Sequence, residues 1–315
     1  MTETKKITLV LMTSEFTDEK CKEFMDYNDN FGLEAEDVLY FKQGALPAID
    51  FEGKIIREGK AKISLCPNGN GDIYRALKVT GMLQTLEERG INYVHLMGVD
   101  NMLCHVADPM FLGFTAEEQL DIGTKVIEKR PNESIGVMVL NNGKPAVIEY
   151  TELPSSLSHL TAGSILNHVY TLKSLKVICD DTSLNSKYHK AIKAIKTYDP
   201  ASGTAAKPSA PNGVKFELFY FDAFFLCPKA GVLKVLAEEE FAPIKNPPGN
   251  PVDSPDMAKK LMTNRFCRWL EESGCIVEGD KETGLLEISA MVSGYGERLE
   301  LYNGSRLKLP AYIFT

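Results

Sequence analysis

Apolar residues fall in short runs of strand period and longer stretches of helical period. Residues 7–11 (Ile-Thr-Leu-Val-Leu) predict a short buried strand, and Thr17 or Asp18 is placed to cap a helix running to about Tyr27. Residues 38–42 predict a second strand, followed by a Gly44/Pro47 loop, and residues 55–63 a charged, solvent-facing hairpin around Gly59. Pro67-Asn68-Gly69-Asn70-Gly71-Asp72 leads into a predicted helix over 73–88, with Ile73, Ala76, Leu77, Leu83 and Leu86 on one face. Gly90 is placed to stop it. A strand over 93–97 runs directly into Val99-Asp100-Asn101.

Further on, residues 125–128, 135–140 and 146–150 predict strands, the last two joined by the turn signal Asn141-Asn142-Gly143. Residues 198–213, rich in Pro, Ala, Ser and Gly, predict a surface loop. Residues 216–221 predict a dense aromatic strand that sets Phe219 and Phe221 on one face. The proline-rich stretch 243–255 is the best candidate boundary. After it come a helix over 256–273, with Met257, Leu261, Trp269 and Leu270 on one side, and short strands near 285–292 and 298–301. Strand, helix, strand in the first half favours an α/β sheet with a ligand crevice at the strand C-termini.

Composition narrows the function classes. At about 150 residues per domain, the 315 residues point to two domains. Thirty-five Lys plus Arg against 43 Asp plus Glu give a net charge of −8. That excludes broad charge-driven nucleic-acid binding but leaves room for a local cationic pocket. No apolar run reaches the roughly 20 residues of a membrane span, and the run after the first six residues is too short for a signal-peptide core. The seven cysteines are scattered, with no CxxC pair. A disulfide framework or structural zinc site is therefore not expected, and a reducing cytosol is the default location.

Four features could carry chemistry, each with an ordinary alternative. The glycine-rich loop 67–72 before a helix lets bare backbone approach an anion, or is simply a turn. Asp100 after an apolar strand could hold Mg²⁺ beside a phosphate, or cap its own turn. Lys215 and Lys245, in apolar or proline-bounded settings, suit phosphate, or are merely solvated. Phe219 and Phe221 could line a sugar pocket, or pack a core. Asp108 reads as a turn opener, and His95, His105 and Cys104 as structural, since none has a partner at metal or triad spacing.

Taken in order, these stretches resemble the eukaryotic-type UDP-N-acetylglucosamine (UDP-N-acetylhexosamine) pyrophosphorylase family. The resemblance covers nearly the whole chain. It includes Met12-Thr13-Ser14-Glu15, Gln43-Gly44-Ala45-Leu46-Pro47, Pro67-Asn68-Gly69-Asn70-Gly71 and Val99-Asp100-Asn101. It continues through Val147-Ile148-Glu149-Tyr150, Asn212-Gly213-Val214-Lys215, Glu217-Leu218-Phe219-Tyr220-Phe221-Asp222 and Glu240-Phe241-Ala242-Pro243-Ile244-Lys245-Asn246. The resemblance implies a Rossmann-like, GT-A-like nucleotidyltransferase with a mixed sheet flanked by helices, over residues 1–246, and a small C-terminal α+β domain over 247–315. It implies uridylyl transfer from UTP to N-acetylglucosamine 1-phosphate, giving UDP-N-acetylglucosamine and pyrophosphate, with Mg²⁺ as cofactor. Gln43, Gly69 and Asn70 would then contact the uridine side. Asp100 would sit at the Mg²⁺ and phosphates, Lys215 and Lys245 would contact phosphate, and Gly136, Glu149, Ser164, Phe219 and Phe221 would line the sugar site.

Three departures from the family pattern stand out. The usual Asp-Gly-Asn-Gly-Gly is Asn68-Gly69-Asn70-Gly71-Asp72 here, which moves an acid to the start of the helix. Ser164 stands where the family has a sugar-binding Asn, and a serine lacks the amide's paired donor and acceptor. The family's Leu-x-x-Gly-Gly-x-Gly-Thr-Arg-Leu phosphate loop is not among the 315 residues. The expectation is a chain that starts inside its nucleotide-binding domain, with an open sheet edge and slow or no turnover alone. The competing readings are another UDP-sugar pyrophosphorylase and a non-catalytic sugar-nucleotide-binding homologue.

Overall fold

A computed structural model describes residues 6–130 and 133–314; the charged lead-in at 1–5 lies outside the described residues. The chain forms two compact units. One comprises Met1–Asn92, Asn141–Ala146 and Thr171–Pro228; the other comprises Tyr93–Leu140, Val147–Tyr170 and Lys229–Thr315.

In the first unit, strands Leu9–Thr13 and Val38–Lys42 pair in parallel, Leu9 opposite Val38, with helix Asp18–Tyr27 between them in the chain. Asp18 fastens these elements together. Its carboxylate accepts from Thr13 Oγ1 at 2.7 Å and pairs with Lys42 at 2.9 Å and Lys22 at 3.0 Å. Those partners, Lys42 first, hold it far below the usual carboxylate range.

Strand Gly213–Glu217 lies between His189–Lys193 and Ile49–Asp50. The expected Gly44/Pro47 loop is instead strand Ala45–Pro47, paired with Leu65–Pro67. The expected helix over 73–88 is two helices, Ile73–Val79 and Met82–Glu88, broken at Gly81 with φ of 76°. Leu77 and Leu83, six positions apart, cannot share one uninterrupted helical face, and the left-handed glycine resets the phase. Tyr74, Leu77, Leu83 and Leu86 are buried, as are Leu175 and Ile178 of helix Leu172–Asp180. The aromatic run also departs from expectation. The strand stops at Glu217, and Tyr220–Leu226 winds into a 3-10 helix, so Phe219 and Phe221 do not share a strand face.

A mixed sheet contains most of the second unit's strand residues. Its order is Lys144–Ile148, Val137–Asn141, Ala162–Thr171, Ile122–Glu128, Ala230–Lys234, with Tyr93–Met97 also on Ala162–Thr171. Ile122–Glu128 runs antiparallel to Ala162–Thr171 and parallel to Ala230–Lys234. The expected Asn-Gly hairpin forms, with Asn142 and Gly143 at φ of 51° and 77°.

Helix Pro255–Glu272 starts at Ser254, whose hydroxyl accepts from Met257 N. It buries Ala258 against Leu103 and Ala242, and Phe266, Trp269 and Leu270 against Leu286, Ile288, Leu299 and Ile313. The expected strand at 298–301 is instead a 3-10 turn, Leu299–Tyr302, entered through Arg298 at φ of 65°. Among the described residues, no helix is long and apolar enough to cross a membrane.

Candidate functional site

In the first unit the glycine-rich loop is zippered to the end of strand Gly213–Glu217. Leu218 N donates to Asn68 O at 2.6 Å, Gly71 N to Leu218 O at 2.8 Å, and Tyr220 N to Asn70 Oδ1 at 3.2 Å. Gly69 has φ of 94°, and a Cβ there would lie 2.7 Å from Leu218 O; one on Gly71 would lie 2.5 Å from the Phe219 carbonyl carbon. Both glycines are thus required by close approach of two backbones. A cavity of about 230 Å³ adjoins the loop, lined among others by Gly71, Arg75, Leu184 and Phe219.

Asp72, the displaced acid, is fully buried. It accepts from Gly44 N at 2.6 Å and from Arg75 Nε and Nη2 at 2.7 and 2.9 Å. Asn68 N also donates to Gly44 O at 3.0 Å. The neighbour of Gln43 is therefore clasped to the loop from both sides, and Gln43 N is held by Thr13 O at 2.8 Å. Gln43 Oε1 and Asn68 Oδ1 are buried acceptors with no hydrogen bond among the described residues. Buried acceptors of this kind are costly unless a ligand supplies donors.

The structure thus brings Gln43, Gly69, Asn70 and Phe219 to one loop cluster. Lys215 lies nearby in chain, on strand Gly213–Glu217, paired with Glu217. Phe219 stacks on His189 at 4.3 Å and meets Phe221 at 5.1 Å. His189 is held in turn by Asp222 at 2.8 Å. Phe221 is buried.

In the second unit, Asp100 folds back over Gly98, where a Cβ would lie 2.6 Å from Asp100 Oδ1. Its backbone oxygen accepts from Ile244 N at 2.9 Å, and Asn101 bridges Pro243. This antiparallel contact sets Lys245 one register step from Asp100. Among the described residues, neither the Asp100 carboxylate nor the Lys245 ammonium has a hydrogen-bond or ion partner. No three His, Cys, Asp or Glu side chains among the described residues gather as a metal cage. A single free carboxylate still fits Mg²⁺, which binds through one or two carboxylates plus substrate phosphates and water.

Gly136, Glu149 and Ser164 also come together here. A Cβ on Gly136 would lie 2.8 Å from Val147 Cγ1 and 3.3 Å from Glu149 Oε2, and Ser164 N donates to Gly136 O at 2.9 Å. Ser164 is buried and adjoins an irregularity in its strand between Ser164 and His168.

Sequence reasoning missed Lys125 and Glu240. Lys125 Nζ is buried at 2.5 Å from both Asp108 Oδ2 and Glu240 Oε2. Burial pushes both carboxyls upward. At Asp108 the Lys125 ammonium and backbone donors outweigh burial and the pKa falls; at Glu240 burial prevails and the pKa is raised. The available signal is a lysine in mid-strand, flanked by Gly123, Thr124, Val126 and Ile127.

The family described as UTP–glucose-1-phosphate uridylyltransferase matches residues 2–249. The UDP-N-acetylhexosamine pyrophosphorylase-like protein 1 of Xenopus tropicalis is 38% identical, over 95% of this chain and 63% of its own. The UDP-N-acetylglucosamine pyrophosphorylase of Saccharomyces cerevisiae is 37% identical, over 96% and 66%. A solved structure from Entamoeba histolytica bearing the name UDP-N-acetylglucosamine pyrophosphorylase aligns with TM-score 0.89 at 32% identity, covering 98% of this chain and 78% of that one. The chain spans a little under two-thirds of the curated relatives it matches.

Proposed function

The chain belongs to the UTP–glucose-1-phosphate uridylyltransferase family, and from that premise we propose that it serves uridylyl transfer from UTP to N-acetylglucosamine 1-phosphate. In that reaction a phosphate oxygen of the sugar phosphate bonds to the α-phosphorus of UTP. The bond from that phosphorus to the bridging oxygen breaks, and pyrophosphate leaves with the electron pair. The nucleophile is already anionic, so positioning and charge neutralisation carry the catalysis.

Gln43, Asn68, Gly69 and Asn70 take the uridine. The observation that carries this assignment is the pair of buried, unsatisfied acceptors on Gln43 and Asn68, beside backbone that only glycine can supply. An imide N–H of uracil is a donor such an acceptor can receive. Asp100 would hold Mg²⁺, which when bound would supply charge neutralisation at the phosphates. Lys245 and Lys215 meet phosphate oxygens. In the second unit Gly136, Glu149 and Ser164 take the sugar, where Glu149 can accept from sugar hydroxyls and the bare Gly136 keeps the surface low. In the first unit Phe219 and Phe221 offer apolar ring edges to the ligand. The cytoplasm, which keeps scattered thiols reduced, is the setting of this reading.

The test is pyrophosphate release from UTP with N-acetylglucosamine, N-acetylgalactosamine or glucose 1-phosphate as acceptor. Any release is expected to be slow, and fastest with N-acetylglucosamine 1-phosphate. A preference for glucose 1-phosphate, motivated by the short Ser164 side chain, would replace the acceptor named here.

A further inference from the structure

We propose that the buried Lys125–Asp108–Glu240 cluster is a positioning device that locks the segment carrying Lys245 in register against the segment carrying Asp100. The proposal rests on the roles assigned above to Asp100 and Lys245.

Three segments meet at one ammonium. Lys125 stands in the middle of strand Ile122–Glu128 with no exposed surface, and its Nζ lies 2.5 Å from each carboxylate and 5.2 Å from the Phe111 ring centroid. Asp108 caps helix Pro109–Glu117 through Met110 N at 2.9 Å, down the chain from Asp100. Glu240 ends helix Ala237–Glu240, just before the run Phe241-Ala242-Pro243-Ile244-Lys245.

A second set of bonds joins the same two segments. Asn101 Nδ2 donates to Glu240 O at 2.7 Å and Ala242 N to Asn101 Oδ1 at 2.9 Å. Met102 N reaches Ala242 O at 3.1 Å, and Ile244 N reaches Asp100 O at 2.9 Å. Arg265 Nη1 spans Leu103 O and Glu239 O at 3.3 and 3.0 Å.

This arrangement does more than hold the fold together. Apolar side chains of similar volume often replace a buried ion cluster with no loss of stability. What an apolar patch lacks is a cost for slipping. Shifting 240–245 by one residue against 100–101 would strand a carboxylate and an ammonium away from water, a large penalty. The cluster therefore admits one register, the one that pairs Ile244 with Asp100 and puts Lys245 one residue further along. Direct hydrogen-bond partners of metal ligands typically change metal affinity or activity 10- to 100-fold when removed, which sets the scale for a device that holds the segment of such a ligand.

The test compares the unmodified chain with Lys125→Met and with Glu240→Gln, the second retaining an acceptor for Lys125 should the first not fold. UDP-N-acetylglucosamine is titrated by calorimetry with and without MgCl₂, and amide exchange is followed across 98–104 and 240–246. The expected result is affinity without Mg²⁺ within about threefold of the unmodified chain, and loss of at least about tenfold of the Mg²⁺-dependent gain. Exchange at Ala242 and Ile244 should quicken at least tenfold while residues 9–13 and 38–42 are unchanged. A Mg²⁺-dependent gain equal to that of the unmodified chain overturns the proposal, as does unchanged exchange at Ala242 and Ile244 or equal loosening across the whole chain. If the unmodified chain binds no UDP-N-acetylglucosamine, the functional reading falls. Exchange alone then decides the proposal: loosening confined to the two segments supports it, and any other pattern refutes it.

Discussion

Asp72 stands where the family pattern has a glycine, and its buried carboxylate clasps Gly44 and Arg75 at once. Asp72→Asn should lower stability by about 1–3 kcal/mol, because the amide nitrogen that replaces Oδ2 can accept from neither Gly44 N nor Arg75 Nη2. A urea denaturation series measures this, and a change below 0.5 kcal/mol would count against the clasp. Gln43→Leu should act oppositely on the two properties. Removing an unsatisfied buried acceptor leaves stability equal or higher, while UDP affinity falls roughly 3- to 10-fold through one lost hydrogen bond. Histidines set the acid limit. Burial, then the charges of Arg265 and Lys125, pull His105 down to about 4, and burial pulls His168 down to about 3. Both are neutral when folded but titrate near 6.5 when unfolded, so below 6.5 the unfolded chain binds more protons. Stability should therefore fall as pH drops from 6.5 towards 4, by about 1.4 kcal/mol per unit for each histidine. His105→Phe, which keeps a ring against Tyr295, should flatten part of that slope in melts at successive pH values. At this scale the glycine loop and Asp100 were visible in sequence. The role of Lys125 is not legible there, because its partners come from 17 and 115 positions away.

Helices and strands were legible where their signals are local. The strand Tyr93–Met97, the Asn-Gly hairpin and the helix start after Ser254 all follow from neighbouring residues. Ala45–Pro47 was missed as a strand because its partner, Leu65–Pro67, lies beyond an intervening hairpin. The end of the aromatic strand at Glu217 was missed because aromatic residues favour strands, while contact with the glycine loop redirects the backbone at 218–220. Two glycines with different duties make a paired prediction. Gly81 is left-handed with open space around it, so Gly81→Ala should cost about 1–2 kcal/mol and leave UDP binding intact. Gly71→Ala drives a methyl into the Phe219 backbone and should weaken UDP binding at least tenfold. Equal effects of the two on binding would contradict the loop's assignment.

The whole chain is assembled from separated stretches, each unit drawing on three of them. A linker signal such as the proline-rich 243–255 is local, so such an arrangement could not be read from composition. The mixed sheet and the family were legible, because many weak blocks in fixed order carry far more information than any one. The central claim is that these residues recognise UDP-N-acetylglucosamine through a uridine cluster and a Mg²⁺-dependent corner. Calorimetric titration of the 315-residue chain with UDP-N-acetylglucosamine, UDP-glucose and GDP-mannose, each with and without MgCl₂, tests it most directly. The account predicts saturable one-to-one binding of UDP-N-acetylglucosamine, strengthened by Mg²⁺, weaker binding of UDP-glucose and none of GDP-mannose. Equal binding of GDP-mannose, or no saturable binding of either uridine nucleotide, would contradict it.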